Sequence, residues 1–155
     1  TEPVTLYLLG GSALSFLGSP RRTIDIDCTT GIQSKRVEGA IEKTAFELEL
    51  EVEIVPIEEF VPLPEGNQDR HHRIGKFGSI EVFVFDPYSI ALSKVARGFE
   101  TDIQDVLFLL ERNIIDVDRL TAFVKSAVPV AWDYDIDPAE MQKYLDIVRK
   151  RFRQS

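Results

Sequence analysis

Two aspartates, Asp25 and Asp27, stand two positions apart in an apolar stretch. Alternate residues of a β-strand share a face, so we expect both carboxylates on one face and Ile24, Ile26 and Cys28 pointing into the core. Carboxylates held side by side repel one another, and a bound divalent cation relieves that repulsion. The pair therefore predicts a magnesium site.

The turn Gly10-Gly11-Ser12 is the second feature that could do chemistry. It follows an apolar segment, 4–9, that predicts a buried strand, and it leads into a short helix predicted over 12–17. Backbone N–H groups at the start of a helix attract phosphate groups. A phosphate-binding turn next to a magnesium site indicates phosphoryl or nucleotidyl transfer.

The elements that would position these residues follow from hydrophobic periodicity. In the first half we predict three strands, over 4–9, around Asp25 and Asp27, and over 47–56. We predict helices over 12–17 and 33–46, and a hairpin in which 74–77 pairs with 80–85. The segment 47–56 alternates between glutamate and apolar residues, which predicts one acidic face that includes Glu51 and Glu53. Residues 57–66 predict an irregular crossing segment.

The second half predicts helices. Asp86, Asp116 and Asp137 are predicted N-caps, and Thr101 opens a predicted capping box. The fold class is therefore α/β (α+β), a mixed sheet flanked by helices and followed by a C-terminal helical region. We place the α/β core at 1–87 and a helical subdomain packed on it at 88–155.

Composition limits the possible functions. The chain has 155 residues, 44% of them hydrophobic, and a net charge of −8, which argues against binding duplex DNA, since that relies on many cationic contacts. Two basic patches, 70–76 and 149–153, leave room for an RNA end. No run reaches the roughly 18 apolar residues of a membrane span. The single cysteine fits a reducing compartment, so we expect a cytoplasmic protein.

The order and spacing of these motifs resemble a known superfamily. The pattern is similar to the signature of the DNA polymerase β-like nucleotidyltransferases. It consists of Leu9-Gly10-Gly11, a spacer of thirteen residues, and Asp25-Ile26-Asp27-Cys28. The string looks most like the minimal AbiEii-type branch of toxin–antitoxin systems. The segments 91–97 and 102–105 are similar to the lysine and aspartate motifs of that branch. Thr101 departs from the pattern, which commonly has a basic residue there.

The resemblance implies transfer of a nucleoside monophosphate from an NTP. It implies that Asp25 and Asp27 hold Mg²⁺ and that the glycine turn (Gly10, Gly11, Ser12) binds the triphosphate. A third carboxylate would complete the metal site and act as general base. We prefer Glu53 for this role, with Glu51 and Glu81 as the alternatives.

Four further residues have two interpretations each. Arg22 is either a loop charge or, by its position in the motif, a phosphate contact. Lys94 is either a surface lysine or a nucleotide contact. Asp102 and Asp105 either cap their helix and lie on its surface, or hold Lys94 or Arg97 in position by contacting them.

The acceptor stays open at this level. The resemblance implies an RNA end or a protein hydroxyl as acceptor and an antitoxin as a possible partner. Alternatives are a transferase acting on an aminoglycoside-type small molecule, and a noncatalytic protein that binds a nucleotide or a partner.

Overall fold

The computed structural model describes residues 4–31 and 35–155. By its internal contacts the chain divides into two compact units. The first unit comprises Thr1–Pro56 and His71–Phe85, and the second comprises Ile57–Arg70 and Asp86–Ser155. Gln33, predicted as the start of the second helix, lies outside the described residues.

The first unit is built on a five-stranded mixed sheet. Its strands are β1 (Val4–Leu9), β2 (Asp25–Thr30), β3 (Glu51–Ile54), β4 (His72–Phe77) and β5 (Ile80–Val84), in the spatial order β3-β2-β1-β5-β4. The β1–β2 and β4–β5 pairs are antiparallel, and the β1–β5 and β2–β3 pairs are parallel. The mixed sheet and the predicted hairpin are confirmed.

Two helices complete the first unit, α1 (Gly10–Phe16) and α2 (Lys35–Glu47). Helix α1 begins two residues earlier than predicted, directly after β1. Cys28 is buried as predicted, and that burial, together with the charge of Asp27, raises the pKa of its thiol to about 11. Ile24 is 85% exposed, so its predicted inward position is wrong. It precedes the first residue of β2 and does not share the alternation of that strand.

The predicted strand over 47–56 is too long. Helix α2 continues to Glu47 and ends in a Schellman turn, in which the Leu50 N–H donates to the Ala45 carbonyl at 2.9 Å. Glu49 takes the left-handed conformation that this turn requires, with φ at 53°. Only Glu51–Ile54 remain extended, because the chain must reverse direction before it can join β2.

The second unit is helical. It contains α3 (Ile57–Phe60), α4 (Pro87–Arg97), α5 (Glu100–Glu111), α6 (Val117–Ala127) and α7 (Pro138–Gln154), with 3₁₀ turns at Asn67–Arg70 and Val128–Tyr134. Its core is aliphatic, and the largest fully buried side chains include Ile90, Leu109, Leu120 and Met141. The mixed sheet and this helical region place the protein in the predicted α+β class.

The predicted aspartate caps are confirmed, and one predicted helix start is wrong. The side chains of Asp86, Asp116 and Asp137 each accept a hydrogen bond from a backbone N–H of the helix that follows. Helix α5 begins at Glu100, so Thr101 lies inside it. Asp102 makes the terminal contact instead, because its Oδ2 accepts the Phe99 N–H at 3.2 Å. Within the described ranges no helix is long and apolar enough to cross a membrane.

Candidate active site

The turn between β1 and α1 brings backbone directly against an acidic side chain. Gly10 has φ at +53°, and a Cβ there would overlap Oδ2 of Asp27. The other carboxylate oxygen, Oδ1, is buried. Only glycine can take this backbone conformation and also lie this close to the Asp27 carboxylate. The turn and the second aspartate are therefore packed directly against one another.

Ser12 and Thr23 fix the position of the turn. The Ser12 hydroxyl is buried and donates to the Leu9 carbonyl at 2.8 Å; the Asp27 carbonyl lies 3.3 Å away. A Cβ at Gly11 would lie 2.7 Å from Thr23 Oγ1, and that hydroxyl donates to the Asp25 carbonyl at 3.1 Å. Sequence reasoning did not assign Thr23 a role. The sequence feature that could have indicated it is a β-branched residue with a hydroxyl, two positions before the first aspartate.

The acidic residues of β2 and β3 stand side by side. In the parallel pairing of these strands, Asp25 is opposite Glu51 and Asp27 is opposite Glu53. Residues that are opposite one another on paired strands point to the same side, so the four side chains share one face of the sheet, on strands about 4.8 Å apart. Asp27 is half-buried and the other three acids are exposed.

The electrostatics of this face show the repulsion expected of such a cluster. Glu51 and Asp25 share a side-chain hydrogen bond, and together with the repulsion between the two groups this raises the pKa of Glu51. The raised pKa marks a contact between two acids that repel one another when both are ionised. A divalent cation would relieve that repulsion.

The register separates the candidates for the third carboxylate. Glu53 is the direct neighbour of Asp27 on β3, and Glu51 is the neighbour of Asp25. Glu81 is on β5, level with Thr5 of β1, whereas Asp27 is level with Leu9. Four residues of strand correspond to about 13 Å, and Glu81 lies 3.8 Å from Arg73 in an ion pair.

The residues present suit magnesium in type. In the part of the chain that the structure describes, no three His, Cys, Asp or Glu side chains converge on one point. Magnesium commonly takes only one or two protein carboxylates, with phosphate oxygens and water as its other ligands. Asp25 and Asp27 could supply those carboxylates, and the repulsion between Asp25 and Glu51 makes positive charge favourable there.

The predicted basic residues differ in their surroundings. Arg22 is exposed on the segment that leads into β2. Lys94 is buried in α4, with its Nζ 2.8 Å from Asp105 and 3.7 Å from Asp102 of α5. Arg97 donates to both carboxylate oxygens of Asp102, at 3.0 and 2.6 Å. The structure therefore brings Lys94, Asp102 and Asp105 together in a buried charge network of the second unit, with Arg97 contacting it from the surface.

Both predicted basic patches contain an arginine that is engaged in an ion pair. Arg70 holds Asp86 through two hydrogen bonds of 2.9 Å, and Asp86 also caps α4. Arg151 of α7 donates to Glu100 of α5 at 2.6 Å. Arg70 therefore supports the start of α4, and Arg151 forms an exposed ion pair between α7 and α5. The sequence alone did not indicate either pair.

Comparison with known proteins points to one family. A family model described as "Nucleotidyltransferase of unknown function (DUF6036)" matches residues 1–153. The crystal structure of an antigenic nucleotidyltransferase-like protein from Paracoccidioides brasiliensis is similar, with a TM-score of 0.50 and 17% identity, covering 96% of this chain and 81% of that one. At this identity the likeness concerns the fold alone. No curated protein matches the chain.

Proposed function

The chain belongs to DUF6036, a family of nucleotidyltransferases of unknown function, and from this premise we propose that it transfers a nucleoside monophosphate from an NTP to an acceptor hydroxyl with the help of Mg²⁺. The observation that carries the proposal is the pairing of β2 with β3, which sets Glu53 beside Asp27 and Glu51 beside Asp25. The contact between Gly10 and the Asp27 carboxylate supports it.

In this proposal Asp25 and Asp27 hold Mg²⁺, which when bound neutralises charge on the phosphate oxygens. Glu53 accepts the proton of the acceptor hydroxyl, whose oxygen then attacks the α-phosphorus. The bond between the α-phosphorus and the bridging oxygen breaks, and pyrophosphate leaves. Transfer of this kind depends mainly on positioning and charge stabilisation.

The turn at the start of α1 would bind the triphosphate. The first N–H groups of a helix have no partner within the helix, so those of Gly10, Gly11 and Ser12 are suited to phosphate oxygens. The Ser12 hydroxyl is already engaged with the Leu9 carbonyl, so we assign the phosphate contact to its backbone. Arg22 is exposed and supplies a cation for the leaving pyrophosphate.

For the acceptor we propose an RNA end or a protein hydroxyl, as the similarity to AbiEii-type toxins suggests. An aminoglycoside-type acceptor remains the small-molecule alternative. A second candidate function is noncatalytic nucleotide binding, since among the described residues no three potential metal ligands converge. The two functions differ in one product, because only the enzyme attaches label to the acceptor.

The test is incubation of the protein with each α-labelled NTP, Mg²⁺ and either total RNA or total protein. We expect label on one acceptor class with the wild type and none with Asp27→Ala. Asp146→Ala is the matched control, since Asp146 is exposed on α7, and it should label like the wild type. Mg²⁺-dependent NTP binding without transfer would favour the noncatalytic function, and wild-type labelling by Asp27→Ala would contradict the metal assignment.

A further inference from the structure

A groove lies where the end of α2 meets β3. Its volume is about 450 Å³, and it is lined by apolar and acidic side chains: Ala45, Phe46, Leu50 and Val52, with Asp25, Glu42, Glu51 and Glu53. This groove, called here the β3 groove, contains no basic side chain among its lining residues. It combines a negative potential with apolar contact area.

Large apolar side chains beside the β3 groove are exposed to solvent. Phe46 is 85% exposed and Leu50 is 46% exposed. Exposed apolar groups that cluster on one surface commonly mark an interaction site. Within β3, Val52 points to the face opposite that of Glu51 and Glu53. Leu50 lines the same groove from the turn that precedes the strand.

The strand beside the groove ends the sheet. In the described residues β3 is an edge strand of the order β3-β2-β1-β5-β4, with β2 as its neighbour on one side. An edge strand presents backbone donors and acceptors that can pair with a further strand. Peptides that bind in this way gain affinity from backbone hydrogen bonds and specificity from alternate side chains.

We propose that the β3 edge binds an extended segment of a partner protein in which lysine or arginine alternates with apolar residues. The cations of such a strand would lie beside Glu51 and Glu53, and its apolar residues would lie on the Val52 side, against Phe46 and Leu50. Charge complementarity selects this occupant, because the lining carries four acids.

The same charges disfavour other occupants. Two copies of this chain joined through their β3 edges would bring the Glu51 and Glu53 side chains of both copies together, and like charges on paired strands are destabilising. Without Mg²⁺ to neutralise these acids, a nucleic acid would bring phosphates to an acidic groove on a chain of net charge −8. The groove shares Asp25 and Glu53 with the proposed transfer site. The peptide proposal requires neither Mg²⁺ nor an NTP, so binding measured in EDTA tests it separately from transfer.

The test is fluorescence anisotropy of the whole chain with a labelled eight-residue peptide that alternates lysine and valine, in EDTA. We expect it to bind at least tenfold more tightly than three control peptides. These are a peptide with the same residues in two blocks, one N-methylated at alternate backbone positions, and one with glutamate in place of lysine. Equal binding of the block and alternating peptides would overturn the proposal, because it would show charge attraction alone.

Two exposed phenylalanines give a matched pair of variants. Phe46→Ala should weaken binding of the alternating peptide at least fivefold, and Phe77→Ala should leave it unchanged, since Phe77 is exposed on β4 at the opposite edge. The reverse pattern would place the peptide on β4 and overturn the proposal. So would sedimentation that shows a dimer lost in Phe46→Ala, or a single-stranded RNA that displaces the peptide.

Discussion

The backbone of Gly10 lies against the carboxylate of Asp27. A Cβ on Gly10 would overlap Oδ2 and would lie 3.2 Å from Cγ, so the first residue of α1 and the second acid of β2 share one packed position. This contact links the phosphate-binding turn of the proposed mechanism to its metal-binding acid. A change on either side of the contact therefore affects the other.

We expect Gly10→Ala to displace Asp27 and to cost about 1–2 kcal/mol of unfolding free energy, because alanine is strained at positive φ and its Cβ has no space. We also expect Mg²⁺ to raise the melting temperature of the wild type and Gly10→Ala to lose that increase. Gly39→Ala is the control, since a Cβ at Gly39 meets nothing within 4 Å. Because alanine is favoured over glycine inside a helix, Gly39→Ala should raise the free energy of unfolding by about 0.5–1 kcal/mol.

Urea unfolding and thermal melts with and without Mg²⁺ measure both effects. A Gly10→Ala protein that keeps wild-type stability and the wild-type response to Mg²⁺ would contradict the contact.

The identity of the third carboxylate is a separate prediction. We expect Glu53→Gln to lower transfer by about 100-fold or more, the usual loss for a general base, with NTP binding retained. Glu81→Gln should keep wild-type turnover, because Glu81 is level with Thr5 and separated from β2 by β1. Steady-state kinetics of both variants decides between them. An active Glu53→Gln together with an inactive Glu81→Gln would move the general base to β5.

Sequence patterns located the parts of the site that depend on local structure. The strand 4–9 has the predicted bounds, and the spacing from Leu9 to Asp25 placed the turn and the acids on consecutive elements. These features follow from short-range rules of alternation and turn chemistry. The close approach of Gly10 to Asp27 also depends on the tertiary pairing of β1 with β2, which periodicity does not contain.

The errors have a common physical origin. Residues 47–50 alternate like a strand, yet they finish α2 and reverse the chain, because the helix hydrogen bonds extend to Leu48 and Leu50. Hydrophobic periodicity predicts a helix over 33–46 with a buried apolar face, yet only Ala45 of α2 is buried. Tertiary context overrode a local pattern in both cases. The choice between Glu53 and Glu81 likewise depends on strand order, which one sequence leaves open.

The contact between Asp25 and Glu51 predicts a pH dependence of metal binding. The repulsion and the shared hydrogen bond raise the pKa of Glu51, and a proton held there competes with Mg²⁺. We therefore expect Mg²⁺ affinity to fall as the pH is lowered through the raised pKa of Glu51. Asp25→Ala should return the pKa of Glu51 toward its ordinary value, as measured by carboxyl ¹³C NMR.

The sign for stability follows from the same shift. A carboxyl whose pKa is raised by folding contributes a favourable proton at low pH, and that contribution is lost as the pH rises through the raised value. Without metal, Asp25→Ala should therefore gain stability relative to the wild type as the pH rises through this range. An unchanged pKa of Glu51 in Asp25→Ala would show that the two acids do not interact.

The ion pair of Lys94 with Asp105 predicts a large effect on the second unit. Lys94 is 6% exposed and Asp105 is 3% exposed, so removing one partner takes away the nearest counterion of a buried charge. We expect Lys94→Met and Asp105→Leu each to cost about 3–5 kcal/mol, and the double variant to regain most of that loss, because it buries no uncompensated charge. Urea unfolding of the four proteins gives the coupling energy.

The double variant also tests the nucleotide contact predicted for Lys94, since it separates that role from the stability of the helices. If Lys94 binds the NTP, the refolded double variant should still bind NTP more weakly than the wild type. Wild-type affinity in the double variant would leave Lys94 with the ion pair alone. Additive losses in the single variants would instead show that Lys94 and Asp105 are stabilised by other neighbours.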